Sequence, residues 1–251
     1  MSFKVLIEGD YACFTRPEFK TDRVSYDLPT PGALEGLLKS IYWKPAIRYV
    51  IDKIVVFSPI NFINIRRNEV EEKIKLNESK KTISCKANIY TNDNSIRTQR
   101  AAMILKNVKY GVEFHFELTG LRSEKDEDEL SNNANAKKAI EAKHYEIIKR
   151  RIENGQHFRT PCLGCCEFPA KSITLINGDF NYNEISQEIL DMGDKDLGYM
   201  LYRLNFEDKG EPINKDWDNP KFSDKATAEY YRPHLVNGVI DVQKYREGIV
   251  C

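Results

Sequence analysis

The sequence predicts an α+β fold with a split βαβ core. Two observations carry that assignment. Helix-period segments occur twice, over residues 31–44 and 133–154, and strand-period runs precede, separate and follow the first of them. The order read from the start is strand, helix, strand, hairpin region, strand, helix, which is the order of ferredoxin-like and RRM-like folds. A third observation sets the boundary. After Gly155 the chain reads as short strands and polar loops, so residues 1–155 are expected as the core unit and 156–251 as a C-terminal antiparallel β-sheet extension.

Phe3–Gly9 alternates as a first strand. Residues 10–29 interleave Tyr11, Phe14, Arg16, Lys20, Arg23 and Tyr26, and no helical period is sustained. Bases stack on aromatics and phosphates pair with cations, so this composition suits RNA; it equally suits a surface loop with aromatic anchors. Thr30 is a candidate N-cap and Pro31 fits the first helical position. Leu34, Leu37, Leu38 and Ile41 then form one apolar face, and Pro45 ends the helix, which puts Tyr42 and Trp43 in its last turn.

Arg48–Phe57 is a long β-branched strand. Residues 60–110 read as a hairpin excursion with Arg66, Arg67, Arg97 and Arg100 at its tips. Residues 108–118 alternate strictly, with His115 on the polar face as a surface residue, and 119–133 form an acidic solvated loop. The second helix has Gly155 as its stop, and Lys149, Arg150 and Arg151 in its last turns suit either the helix dipole or a phosphate backbone. Beyond it, strands are expected at Ser172–Ile176, Leu197–Phe206, Glu229–Val236 and Val239–Val242, with 177–196 as loop.

At 251 residues and 41% hydrophobic content, the chain can bury a proper core. There is no secretory signal pattern and no apolar run of membrane-spanning length, so a cytoplasmic protein without membrane partners is expected. Its six cysteines are then expected to stay reduced. Net charge is zero but uneven: residues 1–110 hold 19 Lys+Arg against 12 Asp+Glu, a net of +7, and the remainder carries −7. That asymmetry fits a nucleic-acid face, and it also fits two halves that attract each other.

The candidate chemistry lies at Lys143-His144 in the second helix. Imidazole titrates near neutral pH and an ammonium can sit against a phosphate. If both helices cover one sheet face, this pair approaches the end of the first helix, where Tyr42 lies. His157 with Cys162, Cys165 and Cys166 invites a zinc reading, but no second Cys/His pair stands at a suitable spacing. The cysteines are read as small apolar residues in a tight turn. No metal or cofactor is expected. His234, following a proline, is read as structural.

Five stretches carry a family resemblance: Gly9-Asp10-Tyr11-Ala12-Cys13-Phe14, Ser25-Tyr26-Asp27-Leu28-Pro29-Thr30, Ser40-Ile41-Tyr42-Trp43-Lys44-Pro45, Lys143-His144-Tyr145, and Cys162-Leu163-Gly164-Cys165-Cys166-Glu167-Phe168-Pro169-Ala170. Together they resemble the CRISPR-associated Cas-five family of type I-C systems, in register over nearly the whole chain. The resemblance implies a RAMP-type ferredoxin-like domain acting in antiviral defence. It implies a metal-independent endoribonuclease that cuts precursor CRISPR RNA at the 3′ base of the repeat hairpin by attack of the substrate's own 2′-OH. The family's catalytic residues fall on Tyr42, Lys143 and His144. The product's 5′ tag would then stay bound within a Cascade complex, beside its backbone and large subunits. The alternative is a scaffold that binds the 5′ tag without cutting. Expected RNA contacts are Arg16, Lys20, Arg23, Trp43, Arg97, Arg100, Lys149, Arg150 and Arg159. One departure stands out: Cys166 occupies a place where relatives often have arginine, which removes a cation from the RNA grip.

Overall fold

The structure, a computed structural model, describes residues 2–19, 21–70, 76–77, 82–83, 97–120, 134–208, 212–216 and 219–251. Lys20, the tip of the expected excursion and most of the acidic segment 119–133 lie outside the described residues. In chain order the elements are β1 (Ser2–Ala12), β2 (Arg23–Val24), α1 (Pro31–Ile41), β3 (Ile47–Val56), β4 (Phe62–Val70), β5 (Leu76–Asn77), β6 (Thr82–Ile83), β7 (Arg97–Leu118), α2 (Ala134–Glu153) and β8 (Ser172–Leu175). Then follow α3 (Gln187–Asp191), β9 (Asp194–Asp196), β10 (Met200–Phe206), β11 (Ala226–Tyr231), β12 (His234–Val236) and β13 (Val239–Asp241), with 3₁₀ turns at Tyr182–Glu184 and Gln243–Gly248.

The protein is a mixed α/β fold on a mostly antiparallel sheet, in the order β8-β1-β7-β3-β13-β12-β9, with β4 and β2 also paired to β7. Only the short β2–β7 pairing is parallel among the named strand pairs. Strands from beyond residue 155 therefore join both edges of the sheet. In β1 the alternation of Phe3, Val5 and Ile7 buries one face, and α1 and α2 cover it with Leu34, Leu37, Leu38, Ile41, Ile148 and Ile152. β7 is one continuous strand of 22 residues where two were expected. It continues because Asn107 adopts φ 54, a left-handed conformation that asparagine tolerates, and the ladder resumes on either side at Gly9–Val108 and Tyr11–Lys106.

The two helix boundaries bear on the site. Thr30 caps α1 by accepting the Ala33 N–H at 3.2 Å, with Pro31 at the first helical position. The helix ends at Ile41, and Tyr42 is extended at φ −149 and ψ 125, so Tyr42 and Trp43 stand past the helix and not in its last turn. Tertiary partners take the carbonyls so released. Phe158 N–H donates to the Ser40 carbonyl at 3.2 Å and the Arg151 guanidinium to that of Ile41 at 2.7 Å. α2 closes as anticipated, with Gly155 at φ +61 and the Gln156 N–H reaching the Arg151 carbonyl.

Other expectations shift for local reasons. Arg66, Arg67, Arg97 and Arg100 lie within the β4–β7 ladder, where Arg67 faces Arg100 and Val70 faces Arg97, not on tips. β10 starts at Met200, after Gly198 at φ +68 turns the chain. The stretch expected as one strand over 229–236 splits at Pro233, which has no N–H to donate to a ladder. Segment 177–196, read as loop, contains α3 and β9.

On the uncovered face, Asp52 is buried. It accepts from His115 Nδ1 at 2.7 Å, Gln243 Nε2 at 2.6 Å and the Arg246 guanidinium at 3.1 Å, pinning the C-terminal 3₁₀ turn to β3. Replacing Asp52 by alanine leaves those donors without their acceptor. The expected result is a loss of about 2–3 kcal/mol of stability, measured by urea denaturation. A change within about 0.5 kcal/mol would show that the turn is held by other contacts.

Candidate active site

Residues 143–145 point in three directions because adjacent helical residues differ by about 100°. Tyr145 stacks on Phe3 at 4.4 Å between ring centroids. His144 turns inward, edge-on to Phe116 at 6.2 Å. Lys143 is exposed. The packing of Tyr145 thus fixes the rotation of α2 that presents the other two.

The His144 ring meets Tyr42, with Tyr42 Oη and His144 Nδ1 2.8 Å apart. Both are almost fully buried, at 5% and 3% exposure. Two further residues hold Tyr42. Tyr49 Oη donates to its backbone carbonyl at 2.7 Å, and the Arg151 guanidinium lies 5.3 Å from its ring centroid. Arg151 sits two turns after His144 on α2, so one helix supplies the imidazole and the cation that braces its partner. Sequence reasoning read Arg151 only as a dipole or phosphate residue. Its seven-residue spacing from His144 was the available signal.

The other sequence-derived candidates divide sharply. Arg16 stacks over buried Tyr26 at 4.8 Å and sits 3.7 Å from Asp27. Arg23 pairs with Glu167 at 2.6 Å, and Arg67 shares the same carboxylate. These cations serve internal ion pairs, and Phe14 and Tyr26 serve as core anchors. Arg97 is exposed and Arg100 half-buried, both far along β7 from the helices' junction. Arg150 is exposed seven residues after Lys143, on the same face of α2. With Lys149 half-buried beside it, Arg150 lines a shallow depression with Glu146, Ile147 and Glu153. Arg159 is exposed, donates to Cys166 Sγ at 3.0 Å, and follows the segment bonded to Ser40 at the end of α1.

Trp43 is 40% exposed and closes one end of a groove of about 520 Å³ between α1 and β10. Glu35, Lys39, Arg48, Arg203 and Phe206 line it. Burial raises the Glu35 carboxyl above the usual carboxylate range, and Lys39, at 3.7 Å, partly opposes that shift. Sequence analysis missed this groove because β10 reaches α1 from more than 150 residues away. Close approach is possible at Gly32, where a Cβ would stand 3.0 Å from Arg203 Cα. Among the described residues, no group of three or more His, Cys, Asp or Glu is arranged to hold a metal ion.

A mostly antiparallel α+β protein, with a buried Tyr–His pair beside an exposed lysine, has the parts of an acid/base site next to a cation. The family model described as CRISPR-associated protein (Cas_Cas5) matches residues 3–243. The chain belongs to this CRISPR-associated Cas5 family. A relative from Mannheimia succiniciproducens, named CRISPR pre-crRNA endoribonuclease Cas5d, is 41% identical over 244 residues, covering 95% of this chain and 93% of its own length. A second of the same name, from Thermus thermophilus, is 36% identical over 211 residues, covering 83% and 76%. Two solved structures share the fold. One, described as a CRISPR-associated protein, has a TM-score of 0.55 at 21% identity, covering 96% of this chain and 91% of that one. The other, the functionally uncharacterized SMU1763c from Streptococcus mutans, has a TM-score of 0.58 at 23% identity over the same shares.

Proposed function

We propose that this chain is an endoribonuclease that processes precursor CRISPR RNA, with Tyr42, Lys143 and His144 as its site. The observation that carries this reading is the 2.8 Å contact between Tyr42 Oη and His144 Nδ1, formed by residues 102 positions apart. Family membership supplies the substrate class, since both curated relatives are named as pre-crRNA endoribonucleases. The antiparallel order β1-β7-β3 beneath α1 and α2 supports a ferredoxin-like core over residues 1–155, and β8, which flanks β1, comes from the 156–251 extension.

The residues then act as follows. The substrate's 2′-OH attacks the adjacent phosphorus and its proton leaves to a base. The 5′-oxygen departs and takes a proton. His144 is the acid/base group. Tyr42, whose hydroxyl meets His144 Nδ1, positions the imidazole and the 2′-OH. Lys143, exposed beside His144, stabilises the charge that accumulates on the phosphorane. Arg150, on the same face of α2, continues the cationic track along the backbone. In this reading the cut falls at the 3′ base of the repeat hairpin. The 5′ tag stays bound in a cytoplasmic Cascade complex with its backbone and large subunits. Among the described residues, no helix is long and apolar enough to cross a membrane.

The test uses the cognate repeat hairpin with a single 2′-deoxy nucleotide 5′ of the scissile phosphate. Cleavage of the all-ribose hairpin is expected to persist in EDTA, and the deoxy hairpin is expected to bind but stay intact. Scission of the deoxy hairpin would rule out 2′-OH attack.

A further inference from the structure

The turn at residues 162–168 is fastened to the end of β1. Cys13 N–H donates to the Leu163 carbonyl at 3.0 Å, and Cys165 N–H donates to the Cys13 carbonyl at 3.1 Å. Gly164 faces Cys13 across this bridge. Two hydrogen bonds therefore hold the Cys13 backbone against the 163–165 turn, one of them directly to Cys165. The Thr15 hydroxyl stands between the two thiols, 3.4 Å from Cys165 Sγ and 3.9 Å from Cys13 Sγ.

The two sulfurs sit in unequal surroundings. Cys13 is fully buried, whereas Cys165 is half-buried and lines a groove beside α1. The neighbouring Cys13 thiol and Thr15 hydroxyl, with the Arg23 guanidinium nearby, pull the Cys165 thiol down to about 6. The neighbouring Cys165 and burial push Cys13 up. Cys165 is thus the more nucleophilic sulfur and Cys13 the one that keeps its proton. That is the arrangement in which a nucleophilic cysteine is paired with a resolving one. Cys162 differs: burial and the adjacent Cys166 raise its thiol, and it donates to the Thr160 carbonyl at 3.2 Å.

We infer that Cys165 is a modification site for hydroperoxides and that Cys13 resolves it into an intramolecular disulfide. The Cys165 thiolate attacks one peroxide oxygen and the O–O bond breaks. The sulfur becomes a sulfenic acid, oxidised by two electrons, and the other oxygen leaves as hydroxide and takes up a proton. Cys13 sulfur then attacks Cys165 sulfur. The S–O bond breaks, the S–S bond forms, and the departing hydroxyl leaves as water with the Cys13 proton. Such a crosslink ties β1 to the turn that carries Cys166. It does not depend on the ribonuclease reading.

The test is hydrogen peroxide treatment of the reduced full chain, followed by peptide mapping by mass spectrometry under non-reducing conditions with a sulfenic-acid trap. A Cys13–Cys165 disulfide is expected in the wild type. Cys13→Ser is expected to accumulate trapped sulfenic acid at Cys165, and Cys165→Ser to leave Cys13 reduced. A wild-type Cys165 that stays a thiol, or that pairs with Cys162 or Cys166 instead, overturns the inference. A second measurement needs no variant. Iodoacetamide alkylation of Cys165 should change little between pH 7 and 9, because the thiolate is already formed. A rise of about tenfold per pH unit over that range would equally overturn it.

Discussion

His144→Ala is expected to lower single-turnover cleavage of the cognate repeat RNA by about 10²–10⁴-fold, with RNA affinity close to that of the wild type. Imidazole is the side-chain type suited to both taking and giving a proton in one reaction cycle. Its ring is 3% exposed and touches Tyr42 and Phe116, so it adds little surface for RNA binding. Lys143→Ala should act differently. Lys143 is exposed, so its loss should spare stability and slow cleavage by weakening transition-state charge stabilisation. Tyr42→Phe keeps the stack under Arg151 and removes only the hydroxyl, so it separates orientation of His144 from packing. Thermal unfolding of each variant guards against a folding defect. Full cleavage by a folded His144→Ala would remove His144 from the chemistry, and a folded wild type that binds the hairpin without cutting it would assign this chain to binding alone.

The second large effect is on stability. Gly164→Ala is expected to cost about 3 kcal/mol. Gly164 sits at φ +83, and an added Cβ would meet the Cys13 carbonyl oxygen at 1.9 Å. A left-handed non-glycine residue costs about 1–3 kcal/mol, and forced movement of neighbouring backbone costs a similar amount. For a chain of this size the melting temperature should fall by roughly 2–4 °C per kcal/mol. Gly36→Ala is the control. It lies within α1 with nothing within 4 Å of the added carbon, and the change should stabilise by up to about 1 kcal/mol. Equal melting temperatures for the two variants would mean that the turn yields without cost.

Apolar patterning made α1, α2, β1 and β3 legible from residues alone, because each contributes side chains to the same core between the helices and the sheet. The meeting of Tyr42 with His144 followed from placing both helices on that face. What remained hidden depends on partners remote in the chain. Arg23 reads in the sequence as a cation without a partner, and only the structure places Glu167, 144 positions away, beside it. The early end of α1 is set by Arg151 and Phe158 taking its last carbonyls, and Pro45 alone placed it too late. The continuity of β7 turns on Asn107 accepting a positive φ, which composition does not announce.

The length of β7 sets a yardstick for any substrate. Phe116 lies under His144 near one end of the strand, and Arg97 marks the other. At about 3.3 Å per residue, the separation between them reaches roughly 60 Å. In the proposed reading, a phosphate at the Arg97 end and a scissile bond at His144 would therefore belong to distant parts of one extended RNA, or to different molecules. The two ends of this strand do not share a nucleotide.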